Sequence, residues 1–272
     1  MKNDLIQNEI VVDVKNLTKI YTSGLIRTAK VVGIQNVTFT VRKGEILSLV
    51  GESGSGKSTT ANIILRLLKP TSGVILLNGK PIEEFGKKEF YRKVQVVFQD
   101  PYGSYNLFHK VDRILKKAFQ LKKNPPPLEE QERLTYEVLN QMGIRAEELL
   151  GRYPHQLSGG QLQRLMLARV LIIRPELLIA DEATSMIDAS SRAGVLNLIE
   201  LLAKDEGLAV IYITHDIGQA QYISDRVVVM KDGLIVEQGD PSKVFIHPEQ
   251  KYTKDLVCCV PTMHQRWDFI KY

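Results

Sequence analysis

Residues 51–58 read Gly51-Glu-Ser-Gly-Ser-Gly-Lys-Ser58, a complete G-x-x-x-x-G-K-[ST] pattern, and each position has a chemical reason. Glycines let the backbone turn tightly, so that successive N–H groups point inward at phosphate oxygens. Lys57 has the reach to meet β- and γ-phosphates, and the Ser58 hydroxyl suits a Mg²⁺ ion. A helix starting here turns its positive end on the same anion. The alternative is a Gly/Ser turn that only caps a helix; average residue frequencies put a chance match at roughly 1% of chains this long. An apolar strand before the loop and a helix after it decide for a nucleotide site. Its residues are Gly51, Ser53, Gly54, Ser55, Gly56, Lys57, Ser58 and Thr59.

Three further segments end in polar chemistry. Leu177-Leu-Ile-Ala-Asp181-Glu182 is an apolar run closed by two carboxylates. Asp181 is placed to hold Mg²⁺ and Glu182 to polarise an attacking water as general base. Val210-Ile-Tyr-Ile-Thr-His215 ends in a histidine, and Phe98-Gln99 in an amide able to touch Mg²⁺ or that water. Each has a plain alternative: a solvated acidic turn, a loop histidine, an exposed turn glutamine. Their coincidence with the phosphate loop changes the balance. Four apolar strands deliver polar groups at their carboxyl ends, where open parallel sheets bind ligands.

The elements that position these groups are legible in the pattern. Ile10–Val14 and Gln35–Val41 alternate like half-buried strands, whereas Ile46–Val50 is nearly continuous, as a buried parallel strand is. A helix is expected from Lys57 to about Lys69, before Pro70, then strands Val74–Gly79 and Val94–Phe98. Residues 103–175 are helical, broken at Pro125-Pro126-Pro127. Alternation resumes with strand Leu177–Ala180, helix 189–204, strand Leu208–Thr214, helix 216–224 and a hairpin about Lys231-Asp-Gly233.

Composition narrows the class. The 272 residues are 44% apolar and 25% charged, ordinary for a globular α/β protein and unlike a disordered or fibrous one. The net charge of +5 is too diffuse to indicate nucleic acid, and no nucleic-acid partner is expected. Two cysteines, the adjacent Cys258 and Cys259, cannot supply a four-ligand zinc or iron–sulfur site. No apolar run approaches the ~18 residues that span a bilayer. Met1–Asp13 carries Asp4, Glu9 and Asp13 without an apolar core, so no signal peptide is expected.

Leu157-Ser-Gly-Gly-Gln161 precedes a helix with Leu162, Leu165, Met166 and Val170 at helical spacing. Ser158 and Gln161 spell a capping box, a sufficient structural reason for the motif. The same helix start also suits a phosphate. One nucleotide has no use for two such cradles unless two chains share their sites.

The set Gly51–Ser58, Gln99, Leu157–Gln161, Asp181–Glu182, Asp188 and His215 resembles the ATP-binding subunits of ABC transporters, over nearly the whole chain. The resemblance implies an α/β fold: a phosphate-loop (RecA-like) parallel-sheet core, an N-terminal antiparallel β subdomain and an inserted α-helical subdomain at about 101–168. It implies an ATP-binding domain over 1–255 and a C-terminal tail over 256–272. ATP and Mg²⁺ are the implied ligands, with Ser58, Gln99 and Asp181 at the metal and Lys57, Glu182 and His215 catalytic. Subunits of this family pair head to tail, so Ser158, Gly159 and Gly160, with Gln161 in the same motif, meet a γ-phosphate held by the other subunit. Tyr21 matches the aromatic that stacks on adenine; a strand-end core aromatic is its plain alternative. Asp188 falls in the inter-subunit loop, where Met186-Ile187 replaces the commoner Ala-Leu.

A narrower resemblance, to the oligopeptide/dipeptide importer branch, rests on Phe98–Asn106 and on Gly239-Asp-Pro, His247-Pro, Tyr252–Leu256 and Val260-Pro261. Leu107 stands where many members have proline, and Cys258–Cys259 lacks the cysteines of relatives with a cluster-bearing tail. The implied protein is peripheral to the cytoplasmic face of the cell membrane. Its implied partners are membrane-spanning permease subunits, a second ATP-binding subunit and, indirectly, an extracytoplasmic substrate-binding protein. Tyr102, Tyr105 and Phe108 either line the permease docking groove or serve as core aromatics. The competing readings are a soluble ABC-type ATPase without a membrane partner and a non-hydrolysing nucleotide-gated module.

Overall fold

The computed structural model describes residues 9–23 and 29–258. Two sheets organise it. The first is antiparallel, built from β1 (Ile10–Ser23), β2 (Ala29–Arg42), β4 (Ser72–Leu77) and the short β5 (Lys80–Pro81), in the order β2-β1-β4-β5. The second has six strands: β3 (Ile46–Val50), β6 (Val94–Val97), β7 (Leu177–Asp181), β8 (Ala209–Thr214), β9 (Arg226–Lys231) and β10 (Leu234–Gly239). Their order is β10-β9-β3-β8-β7-β6, parallel throughout except β10 against β9.

The period of two along each central strand builds the layers. Leu47, Leu49, Leu177, Ile179, Ile211 and Ile213 face the core shared with the antiparallel sheet. Their neighbours Ile46, Leu178, Ala180, Val210 and Tyr212 face a second core under the helices. Both faces are covered, which is why these strands read as continuous apolar runs.

The first helix is α1 (Lys57–Ile64), followed by α2 (Lys87–Lys93). The region after β6 is helical: α3 (Asp112–Leu121), α4 (Leu128–Gln141), α5 (Ala146–Leu149) and α6 (Gly159–Ile173). The remaining helices are α7 (Ala189–Lys204), α8 (Ile217–Ile223), α9 (Pro241–Ile246) and α10 (Lys251–Cys258). No helix among the described residues is long and apolar enough to cross a membrane.

Three elements differ from the sequence reading. Helix α1 stops at Ile64 rather than near Lys69, because Arg66 turns left-handed (φ 59°) and the N–H groups of Leu67 and Leu68 both close on the Asn62 carbonyl. Arg66 takes a position usually given to glycine, so the stop carries no sequence signal; its guanidinium compensates by bonding the Phe85 carbonyl. The first two strands also run far beyond Ile10–Val14 and Gln35–Val41. Register shifts around left-handed Asn16 and Asn36 carry the ladder past polar residues that break the alternation. Residues 259–272, with Cys259 and the Val260-Pro261 pair, lie outside the described residues.

Candidate nucleotide site

Strand β3 ends in the loop. Gly51 has φ 153°, and a Cβ there would stand 2.2 Å from the Met230 carbonyl oxygen. Gly56, at φ 105°, caps α1, and a Cβ would lie 2.6 Å from Ile34 Cγ2. Both positions exclude a side chain, which explains the glycines. Lys57 opens α1 and folds back over the loop. Its Nζ donates to the carbonyls of Gly51 (2.6 Å) and Glu52 (2.7 Å) and to Ser55 Oγ (3.2 Å). Burial lowers the Lys57 pKa, and the charges of Glu182, Asp181 and Glu52 act against that loss.

Strand β7 ends at Asp181. The next residue, Glu182, is left-handed (φ 46°), with its N–H bonded to the Ile213 carbonyl at 2.9 Å. A carboxylate residue held in this sparsely populated conformation marks a constrained site. Its two oxygens are divided between neighbouring strand ends: Gln99 Nε2 donates to Oε2 at 2.8 Å, and His215 Nδ1 lies 2.9 Å from Oε1. Gln99 and His215 follow β6 and β8. Burial first, and then the adjacent Glu182 charge, raise the Asp181 pKa, while Lys57 pulls it down. The loop from Gly51 to Thr59, with Gln99, Glu182, His215 and Leu256, lines one cavity of about 720 Å³; Asp181, which precedes Glu182, is not among the lining residues.

A divalent cation fits this donor set. The Ser58 hydroxyl, the Gln99 amide and the Asp181 carboxylate are hard oxygen ligands, suited to Mg²⁺ held by few protein groups and substrate phosphates. Burial is the larger cause of the rise at Asp181; the second, the neighbouring Glu182 charge, is what an added positive charge offsets.

Tyr21, near the end of β1, is 39% exposed and so is not a core aromatic. Its hydroxyl lies 3.2 Å from Thr59 Oγ1, and Lys19 Nζ sits 5.5 Å from the ring centroid. Gly33 makes room for the ring, since a Cβ there would come within 2.5 Å of it.

Ser158, Gly159, Gly160 and Gln161 do not line this cavity. Ser158 caps α6, Gln161 N–H donates to its Oγ (3.2 Å) and Ser158 N–H donates to Gln161 Oε1 (2.9 Å). Ser158, Gly160 and Gln161 open instead on a separate hollow of about 160 Å³. Gly159 and Gly160 pack under the Met186 carbonyl and Ile187, where added Cβ atoms would meet neighbours at 3.1 Å. Asp188 caps α7, accepting from Ser191 N–H at 2.9 Å. Of the two unusual loop residues, Ile187 is buried against the motif and Met186 is exposed.

Gln163 was not among the sequence candidates. It is buried on α6, and its Nε2 donates to the Ala183 (2.6 Å) and Phe98 (3.2 Å) carbonyls, beside Glu182 and Gln99. Its one signal was an amide on an apolar helical face. Leu256 was also missed, since nothing in sequence places residue 256 beside residue 51.

The family model described as ABC transporter matches residues 34–185. The chain belongs to the ABC transporter family. It is an ATPase of that family, its hydrolysis of ATP coupled to transport. The oligopeptide transport ATP-binding protein OppF of Bacillus subtilis (strain 168) is 41% identical over 234 residues, 84% of this chain and 76% of the relative. AmiF, an oligopeptide transport ATP-binding protein of Streptococcus pneumoniae serotype 4, is 38% identical over 260 residues, 93% of this chain and 82% of the relative. Among solved structures, the dimeric post-hydrolysis state of the ATP-binding cassette MJ0796 bound to ADP and Pi superposes with TM-score 0.74 at 29% identity, over 85% of this chain and 98% of that one. CbiO1 of Clostridium perfringens, part of the cbiONQ transporter complex, gives 0.74 at 29% identity, over 89% and 93%.

Proposed function

We propose that the chain is the ATP-hydrolysing subunit of an oligopeptide-type importer, working at the cytoplasmic face of the membrane against permease subunits. The observation that carries the chemistry is Glu182. Its carboxylate is held between Gln99 and His215, across a common cavity from Lys57. A carboxylate oriented by two side-chain partners is placed to accept a proton from an attacking water. His215 fixes the carboxylate and lines the same cavity, from which it would sense a γ-phosphate. Loop amides and Lys57 bind the phosphates, and the Tyr21 ring stacks on the base. Ser58, Gln99 and Asp181 would hold Mg²⁺, which when bound neutralises charge on the β- and γ-phosphate oxygens.

The distance in function between the two cradles supports a two-subunit site. In one chain the Ser158–Gln161 motif lines a hollow separate from the phosphate-loop cavity. It is free to close on a nucleotide held by a second ATP-binding subunit, with Asp188 at the same seam. The importer reading rests on the oligopeptide transport relatives above.

A groove of about 370 Å³ on the helical region, lined by Tyr105, Asn106, His109, Arg113, Lys117 and Arg169, suits a permease segment. The three aromatics divide. Tyr105 is 8% exposed, with its hydroxyl donating to the Leu162 carbonyl, so its ring belongs to the core. Phe108 is 89% exposed. The Tyr102 hydroxyl donates to the Leu157 carbonyl at 2.9 Å, which joins the segment after Gln99 to the start of the Ser158 motif.

Glu182→Gln tests the chemistry. ATP binding should persist while turnover falls by about 10²–10⁴-fold; turnover at the wild-type rate refutes the assignment. Co-purification of the tagged chain with a membrane-embedded permease tests the importer reading against a free-standing ATPase.

A further inference from the structure

Helix α10 touches the phosphate loop at one peptide group. The Glu52 N–H donates to the Tyr252 hydroxyl oxygen at 3.2 Å. The carbonyl of that same peptide unit, on Gly51, accepts from Lys57 Nζ at 2.6 Å. The unit is therefore gripped from one side by helix α10 and from the other by the ammonium. A peptide is planar, so fixing its N–H fixes the direction of its C=O. Gly51 needs such a hold, because a residue without Cβ does not restrict its own dihedrals.

Tyr252 is itself anchored. Lys231 Nζ lies 4.7 Å from its ring centroid. The Glu237 carboxylate accepts the N–H groups of Glu249 (3.0 Å) and Gln250 (3.2 Å), which pins the entry to α10. Leu256, one turn beyond Tyr252, packs on the cluster around Val50, Val229 and Phe245 and lines the 720 Å³ cavity.

We propose that Tyr252 is a positioning residue of the nucleotide site: its hydroxyl sets the Gly51–Glu52 peptide and thereby the carbonyl from which Lys57 departs to reach phosphate. Helix α10, which also brings Leu256 to the cavity wall, is then part of the site's machinery. This inference rests on the nucleotide reading of the cavity.

The test compares the full chain with Tyr252→Phe, which keeps the ring and its contact with Lys231. Amide exchange at Glu52 is followed by NMR, and the Kd for ATP and for ADP by titration. Losing one hydrogen bond should speed exchange at Glu52 and raise the Kd about three- to tenfold, with the thermal midpoint held. Unchanged exchange and affinity overturn the proposal. So does a higher Kd accompanied by loss of amide protection throughout α10, which makes the hydroxyl a structural tie only. A wild-type chain that binds neither nucleotide refutes the reading of the cavity, an outcome separate from these because Glu52 exchange is read without nucleotide.

Discussion

Glu182 and His215 are 33 residues apart in sequence yet share a hydrogen bond of 2.9 Å. Glu182 is 20% exposed and His215 63%, so solvent reaches the histidine while the carboxylate is partly withdrawn. Removing the imidazole leaves Gln99 as one remaining side-chain partner for the carboxylate among the described hydrogen bonds. His215→Ala should therefore cut ATP turnover by about 10²-fold while nucleotide affinity changes little, as expected when a group acts mainly in the transition state. Single-turnover hydrolysis alongside a binding titration checks this, and a normal rate refutes the role of His215. The residue types here were readable in sequence because each stands at the end of an apolar run. Glu182's left-handed backbone was not, since residues with a Cβ seldom adopt it and the bond from its N–H to the Ile213 carbonyl is a tertiary one.

At the scale of elements, the entry to α10 depends on Glu237 of β10. Partial burial pushes the Glu237 pKa up, but the hydrogen bonds it accepts, two of them from the Glu249 and Gln250 N–H groups, prevail and hold it below the ordinary value. A carboxylate depressed on folding stabilises the protein above its unfolded pKa, and that contribution disappears as pH falls through the folded value. Glu237→Gln should lower the melting temperature at pH 7, and the gap should close as pH is taken from above the ordinary carboxylate range to below it. Thermal melts of both proteins across that range measure it; a gap independent of pH contradicts the linkage. The helix expected over 189–204 is α7, Ala189–Lys204, and the Ser158–Gln161 capping box expected before a helix opens α6. Helix α1 was overrun because its stop is made by Arg66, whose signal lies in a tertiary bond to Phe85.

For the molecule as a whole, two phosphate-type cradles face different hollows of one chain. On the proposed function, such a chain would complete its site by pairing. Glu182→Gln with ATP and Mg²⁺ should sediment as a dimer, or as a heterodimer once its cognate ATP-binding subunit is added, and should return to monomer with ADP. A variant that stays monomeric with ATP in both mixtures refutes the shared site. The sequence by itself determined the chemistry and the class of fold: phosphate cradle, paired carboxylates, and the alternation that makes a parallel sheet. These are local, because a loop's spelling and a strand's period depend on near neighbours. Tertiary structure alone decided that Gln99 and His215 divide the two oxygens of Glu182, that Gln163 ties the α6 helix to the segments beside Gln99 and Glu182, and that Tyr252 reaches Glu52 across 200 positions. Such contacts follow from the strand order β10-β9-β3-β8-β7-β6, which no local spacing encodes because it is set by how whole layers bury their faces.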